Sequence, residues 1–136
     1  MQGIVNRKEY AVKLYDNRKP QSVPTYYHEK SCLQKLRDCP SVVKLHVVGR
    51  LQETAYPCIV TVFAGSPRVK LSREQRAAAK EAIVTLHAAG AAHGDVRLQN
   101  ILFSKDGRCC LADFGDCILQ ASDEAKDMDL QHLKKL

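Results

Sequence analysis

The feature that most constrains this fold is the stretch at residues 93–115, in which two short apolar runs flank an Asp-Gly pair. The runs at 101–103 and 109–112 predict two β-strands, and the polar residues between them predict a turn. The Asp-Gly pair supplies the positive φ angles that a tight hairpin turn requires. Because an antiparallel hairpin returns its end to its start, the two ends of this stretch should lie side by side.

Three polar residues bound this predicted hairpin. Asp95 and Asn100 precede its first strand, and Asp113 follows its second strand. Two carboxylates and an amide oxygen that converge at one strand edge are hard oxygen ligands, suited to Mg²⁺ with a phosphate group completing the shell. The simpler interpretation of Asp95 and Asn100 is a capping and turn pair.

The N-terminal half places a lysine and a glutamate in unusual positions. Residues 9–15 alternate in polarity and predict a strand, with Lys13 in its middle. A helix is predicted from Thr25, as its N-cap, to about residue 38, and Glu29 falls on its apolar stripe. A carboxylate buried there needs a cationic partner or a raised pKa. Taken alone, the pattern favours a glutamate at the rim of the stripe, reaching water.

Further elements complete an α+β pattern. Two β-like runs, at 42–48 and 57–63, precede a helix at 73–89 that Ser72 begins with a capping box. Ser122 is the predicted cap of a last helix. The apolar side of that last helix is expected to comprise Ala125, Met128, Leu133 and Leu136.

Composition excludes several classes of protein. The chain has 136 residues, 45% of them hydrophobic, which suits one globular domain and not a disordered segment. No apolar run approaches the ~18 residues of a membrane span, and the N-terminus lacks the apolar core of a secretory signal. We therefore expect a cytoplasmic protein with no membrane partner. Its six cysteines should be reduced, and they lack the CxxC spacing of zinc sites.

The net charge of +6 lies entirely in residues 1–68, which carry 11 basic and 5 acidic side chains. This asymmetry allows an anionic ligand, although a solvated basic surface is the simpler interpretation. Nucleic acid is not expected as a partner, since the chain has no Trp and no platform of interleaved aromatic and basic residues.

Four motifs occur in the order, and on the predicted elements, that protein kinases use. The segment at 93–100, HGDVRLQN, resembles the kinase catalytic loop HRDxxxxN, and residues 113–115 match its DFG motif. The AVK at 11–13 resembles the VAIK strand, and Glu29 falls where the family has its helix αC glutamate. The chain therefore resembles the protein-kinase-like superfamily, as a minimal, atypical member similar to small fungal kinase-like proteins.

This resemblance implies a single truncated kinase-like domain at 1–136. A small antiparallel sheet with an αC-type helix would form an N-lobe at about 1–65, and a truncated helical C-lobe would occupy about 66–136. The residues implied to contact adenine are Ala11 and Leu102, with Val62 and Ala64 in the hinge between the lobes.

The resemblance also implies ATP and Mg²⁺ as cofactors and assigns roles to the matching residues. Lys13 would bind the α- and β-phosphates of ATP, held in place by an ion pair with Glu29. Asp95 would orient the acceptor hydroxyl and take its proton. Asp113 and Asn100 would bind the metal.

Three features differ from the protein-kinase pattern. Only Gly3 precedes the AVK strand, so the glycine-rich lid over the phosphates is expected to be absent or supplied from elsewhere. Gly94 replaces the arginine of HRD, as in lipopolysaccharide-kinase-like proteins and aminoglycoside or choline phosphotransferases, so regulation by a phosphorylated activation loop is not expected. Few residues follow the DFG motif in this sequence, so the peptide-docking helices of the family are not expected in it. Asp127 or Asp129 is the residue expected to brace the catalytic loop.

We therefore expect an ATP- and Mg²⁺-dependent phosphotransferase whose acceptor is a protein Ser/Thr hydroxyl or a small molecule. Two alternatives stay open, namely a pseudokinase that serves as a binding scaffold, which the missing lid favours, and a fragment of a longer kinase. The retention of Lys13, Glu29, Asp95, Asn100 and Asp113 favours catalysis.

Overall fold

The computed structural model describes residues 2–5, 8–50 and 55–136. The strands are β1 (Gln2–Val5), β2 (Lys8–Leu14), β3 (Leu45–Arg50), β4 (Pro57–Val62), β5 (Ser66–Pro67), β6 (Ile101–Phe103) and β7 (Cys109–Leu111). The helices are α1 (Ser22–Lys35), α2 (Arg73–Ala88) and α3 (Asp123–Lys134), with a 3₁₀ turn at Leu98–Asn100.

The strands form two antiparallel sheets. The first has the order β1-β2-β4-β3 and the second the order β5-β6-β7. Helix α1 packs on β3 and β4 of the first sheet, whereas α2 packs on β7 and on α3. This arrangement confirms the predicted α+β class with a minimal kinase-like fold, in which a small sheet and one helix precede a mainly helical part.

The first sheet carries Lys13 on β2, one of its two inner strands. Lys13 pairs there with Ile59 of β4. The expected strand at 42–48 is wrong in its first half, since β3 begins at Leu45. Val43 turns instead toward the second sheet, where its N–H donates to the carbonyl of Leu111 at 3.1 Å. This contact ties the two sheets together.

Helix α1 begins earlier than its sequence predicts. Its N-cap is Gln21 and not Thr25, whose hydroxyl donates to the Gln21 carbonyl at 2.7 Å. Pro24 lies in the first turn, where N–H groups have no partner within the helix, so the chain enters the helix before Thr25. The helix ends at Lys35, earlier than the expected residue 38.

Helices α2 and α3 begin where their capping residues predict. Ser72 Oγ accepts from the Gln75 N–H at 3.1 Å, and Gln75 Oε1 accepts from the Ser72 N–H at 2.9 Å. The expected apolar side of α3 is wrong at Met128, which is 47% exposed. Packing against α2 turns the stripe of Asp129 and Leu133 inward, and Met128 lies about 100° around the helix from Asp129.

The buried core runs through both sheets and reaches the predicted site. Its fully buried side chains include Leu33, Ile83, Leu86, Ile101 and Phe114. All six cysteines are free thiols. Among the described residues, no helix has the length and apolar character needed to cross a bilayer.

Candidate active site

Strand β2 and helix α1 bring Lys13 and Glu29 together. Lys13 Nζ lies 2.8 Å from Glu29 Oε1 and 3.0 Å from Asp113 Oδ1. Glu29 is 3% exposed, so its carboxylate lies inside the fold and not at the rim of the stripe. The ammonium group of Lys13 offsets the cost of burying that charge.

The charges of Lys13 and Asp113 support each other. Burial lowers the pKa of Lys13, but Glu29 and Asp113 outweigh this effect and raise the pKa above its usual 10.5. Burial raises the pKa of Asp113, but the hydrogen bond and charge of Lys13 outweigh it and lower the pKa below its usual 3.8. Both groups are therefore charged at neutral pH, and Lys13 presents a full positive charge to an anion.

Two further donors hold Glu29. The hydroxyl of Tyr15 donates to Glu29 Oε1, and the backbone N–H of Phe114 donates to Glu29 Oε2 at 2.8 Å. Sequence reasoning missed Tyr15. The available signal was its position two residues after Lys13, which places both side chains on one face of the strand.

The second sheet brings the ends of the 93–115 stretch together, as the hairpin pattern predicts. Ile101 pairs with Leu111, and the Ala112 N–H donates to the carbonyl of Asn100 at 2.9 Å. Asp113 comes next and has a left-handed φ of +63°, which aspartate tolerates better than most residues. The carboxylate thus leaves the strand end toward Lys13.

Asp95 and Asn100 bond directly to each other. Asn100 Nδ2 donates to the Asp95 carbonyl at 2.8 Å and to Asp95 Oδ2 at 3.1 Å. Arg97 adds a cation 3.3 Å from Asp95 Oδ2. Within the described part of the chain, Asn100 Oδ1 and Asp113 Oδ2 accept no hydrogen bond, so two oxygen atoms are available to a hard cation. An amide oxygen and a carboxylate oxygen are donors of the type that Mg²⁺ takes, so Asn100 and Asp113 are the residues that could hold this ion.

Asp129, and not Asp127, holds the start of the 93–100 segment. Asp129 Oδ2 accepts from the His93 N–H at 2.8 Å, and its Oδ1 accepts from the Gly94 N–H at 3.0 Å. His87 Nε2 lies 2.9 Å from the same Oδ2, and Asp129 is 1% exposed. Asp127 is exposed and accepts from a neighbouring side chain on its own helix.

The fold itself requires glycine at position 94. Gly94 has a φ of +83°, and a Cβ atom there would lie 2.4 Å from the carbonyl oxygen of Asp116. Any side chain at Gly94 would therefore strain the backbone and collide with the segment that follows Phe114.

Two of the four residues implied for adenine binding line one cavity of the described chain. A cavity of about 650 Å³ is lined by Val62 and Ala64 together with Phe103, and neither Ala11 nor Leu102 contributes to it. Leu102 and Phe103 are neighbours on β6, so their side chains point to opposite faces of the sheet. The adenine contacts therefore stay a prediction.

The C-terminal part of this chain is similar to a known protein family. The model of the lipopolysaccharide kinase (Kdo/WaaP) family matches residues 59–136, which is more than half of the chain. The chain belongs to the lipopolysaccharide kinase (Kdo/WaaP) family. The Kdo/WaaP match contains Asp95, Asn100 and Asp113, while Lys13 and Glu29 precede it.

This Kdo/WaaP chain is also similar to a curated protein kinase, which supports its place in the kinase-like superfamily. Serine/threonine-protein kinase PKH3 of Eremothecium gossypii is 26% identical over 126 residues. The similarity covers 81% of this chain and 17% of the relative. The chain thus spans less than one-fifth of the length of that kinase.

Proposed function

We propose that this Kdo/WaaP-family chain transfers the γ-phosphate of ATP to a hydroxyl group, with Mg²⁺ as cofactor. The observation that carries the proposal is the position of Lys13 between Glu29 and Asp113. Phosphoryl transfer asks the protein mainly to position the phosphates and neutralise their charge. A charged lysine beside a carboxylate with a free oxygen atom suits that task.

Each residue of the candidate site has one proposed role in phosphate transfer. Lys13, oriented by Glu29, binds the α- and β-phosphates, and Asp113 and Asn100 are the residues that would hold Mg²⁺. When bound, the metal would neutralise charge on the transferring phosphate. Asp95 orients the acceptor hydroxyl and takes its proton as the oxygen attacks the γ-phosphorus, while the bond to the β–γ bridging oxygen breaks and ADP leaves.

We propose a protein Ser/Thr hydroxyl as the acceptor, which the likeness to a serine/threonine-protein kinase supports. A sugar hydroxyl is the second candidate, and two observations favour it. The family is named for a lipopolysaccharide kinase, and only residues 116–122 separate Gly115 from α3. This short segment offers little backbone along which a peptide could lie.

The test is phosphate transfer from ³²P-labelled ATP in MgCl₂, with casein and a lipopolysaccharide core oligosaccharide as separate acceptors. We expect labelling of casein that EDTA abolishes. Labelling of the oligosaccharide alone would assign the sugar acceptor. A thermal shift with MgATP in the absence of any transfer would overturn the proposal and favour a nucleotide-binding scaffold.

A further inference from the structure

Tyr15 has a buried phenol group, and no role in phosphate transfer has been given to it above. Its N–H donates to the Pro57 carbonyl at 2.9 Å, so it continues the pairing of β2 with β4. Tyr15 is 5% exposed, and its hydroxyl donates to Glu29 Oε1. The same oxygen atom accepts from Lys13 Nζ. Tyr15 and Lys13 therefore act on one carboxylate oxygen from one face of one strand.

Three donors from two separate parts of the fold converge on Glu29. Lys13 lies on β2 and Tyr15 directly follows that strand, whereas the N–H of Phe114 belongs to the segment after β7. A carboxylate offers about four acceptor positions on two oxygen atoms. With three of them taken by fixed donors, Glu29 has little freedom to turn away from Lys13.

The ring of Tyr15 adds contacts on both sides of the ion pair. It meets the ring of Tyr26 edge to face, with centroids 5.4 Å apart, and Tyr26 lies one turn before Glu29 on α1. Lys13 Nζ lies 5.2 Å from the centroid of the Tyr15 ring. Burial, followed by the hydrogen bond to Glu29, raises the pKa of Tyr15, so the hydroxyl stays a donor at neutral pH.

We propose that Tyr15 is a positioning residue, whose hydroxyl keeps the Glu29 carboxylate on Lys13 and thereby keeps Lys13 ready for the nucleotide phosphates. This inference rests on the proposed phosphotransfer function and adds a residue to its site. Because Tyr15 is buried and its hydroxyl bonds Glu29, its proposed effect on the nucleotide passes through Glu29.

The first test is Tyr15→Phe, which keeps the ring and removes only the hydroxyl. Because a hydrogen bond to a charged group is among the stronger ones in a protein, we expect its loss to raise the KM for MgATP about tenfold. The kcat should change by less than about threefold, because the acceptor side of the site is untouched. The matched control is Tyr27→Phe on the exposed face of α1, which should leave both constants unchanged.

A double-mutant cycle separates positioning from simple packing. In a Glu29→Gln background the carboxylate is already lost, so Tyr15→Phe should change KM by no more than about twofold. The same tenfold effect in both backgrounds would overturn the inference, because it would show that Tyr15 acts independently of Glu29.

Hydrogen exchange tests the inference without any turnover. Tyr15→Phe should speed exchange of the Phe114 amide, which Glu29 protects, relative to the Ile83 amide in the core of α2. Equal changes at both amides would overturn the positioning role. Faster Phe114 exchange in a protein that transfers no phosphate would uphold the positioning of Glu29 and reject the proposed function.

Discussion

The backbone N–H of Phe114 donates to Glu29 Oε2 at 2.8 Å, across 85 positions of sequence. Through this bond the segment after β7 and helix α1 share one carboxylate, and the other oxygen atom of that carboxylate holds Lys13. A displacement of α1 would therefore break the Lys13 ion pair and the Phe114 hydrogen bond together. The relationship explains why Glu29 is buried, and it couples the two parts of the candidate active site.

Replacement of Asp95 should separate nucleotide binding from chemistry. We expect Asp95→Asn to lower kcat by about 100-fold or more, because general-base catalysis commonly contributes that much, while the KM for MgATP changes little. Steady-state kinetics of phosphate transfer measure both constants. Asp127→Asn on the exposed face of α3 is the control. An Asp95→Asn protein with wild-type kcat would exclude Asp95 as the proton acceptor.

Replacement of Lys13 should weaken nucleotide binding. If Lys13→Met raises the Kd for MgATP tenfold, the stabilisation at a ligand concentration of 100 wild-type Kd values falls from about 2.7 to about 1.4 kcal/mol. A thermal-shift titration measures this loss, with Lys80→Met on the exposed side of α2 as control. Equal stabilisation of the wild-type and Lys13→Met proteins would contradict the assignment of Lys13.

Gly94 and Gly107 form a matched pair for testing backbone strain. Both have left-handed φ angles, +83° and +85°, but only a Cβ atom at Gly94 meets another group within contact distance. Gly107→Ala should cost about 1 kcal/mol from the φ angle alone. Gly94→Ala should cost at least about 2 kcal/mol more, since Asp116 must move. Urea unfolding measures both values, and equal losses would show that the backbone near Gly94 adapts freely.

The ion pair of Lys13 and Asp113 should contribute to stability over a defined pH range. The fold lowers the pKa of Asp113 below 3.8, so its contribution is fully present above that value and is lost as the pH falls through the lower, folded pKa. We expect the wild type to have a higher free energy of unfolding than Asp113→Asn. This difference should be constant from about pH 5 to 8 and should shrink below about pH 4. A difference that grows on acidification would have the wrong sign for this pair.

Much of the local structure follows from the sequence. The cap at Ser72, the hairpin around the Asp-Gly pair and the strand that carries Lys13 all depend on signals within a few residues, and each is present. Of the Asp-Gly pair, however, only Gly107 has the positive φ angle that was predicted for both residues. The order of the kinase-like motifs also follows from the sequence, because it needs no knowledge of how the elements pack. Local signals were misleading at both ends of α1, at the start of β3 and at Met128 on α3. At the first of these places, a proline in the first turn allowed the helix to begin before Thr25.

Tertiary structure alone decided which polar groups work together. The bonds from Lys13 to Asp113, and from the His93 N–H to Asp129, join residues 100 and 36 positions apart. Neighbouring residues place Glu29 on the apolar stripe of its helix, but they do not show that its carboxylate is buried, or that Asp129 rather than Asp127 faces residues 93–94. Burial and charge pairing depend on the face that each element turns to its neighbours, and that face is set only when the sheets and helices pack.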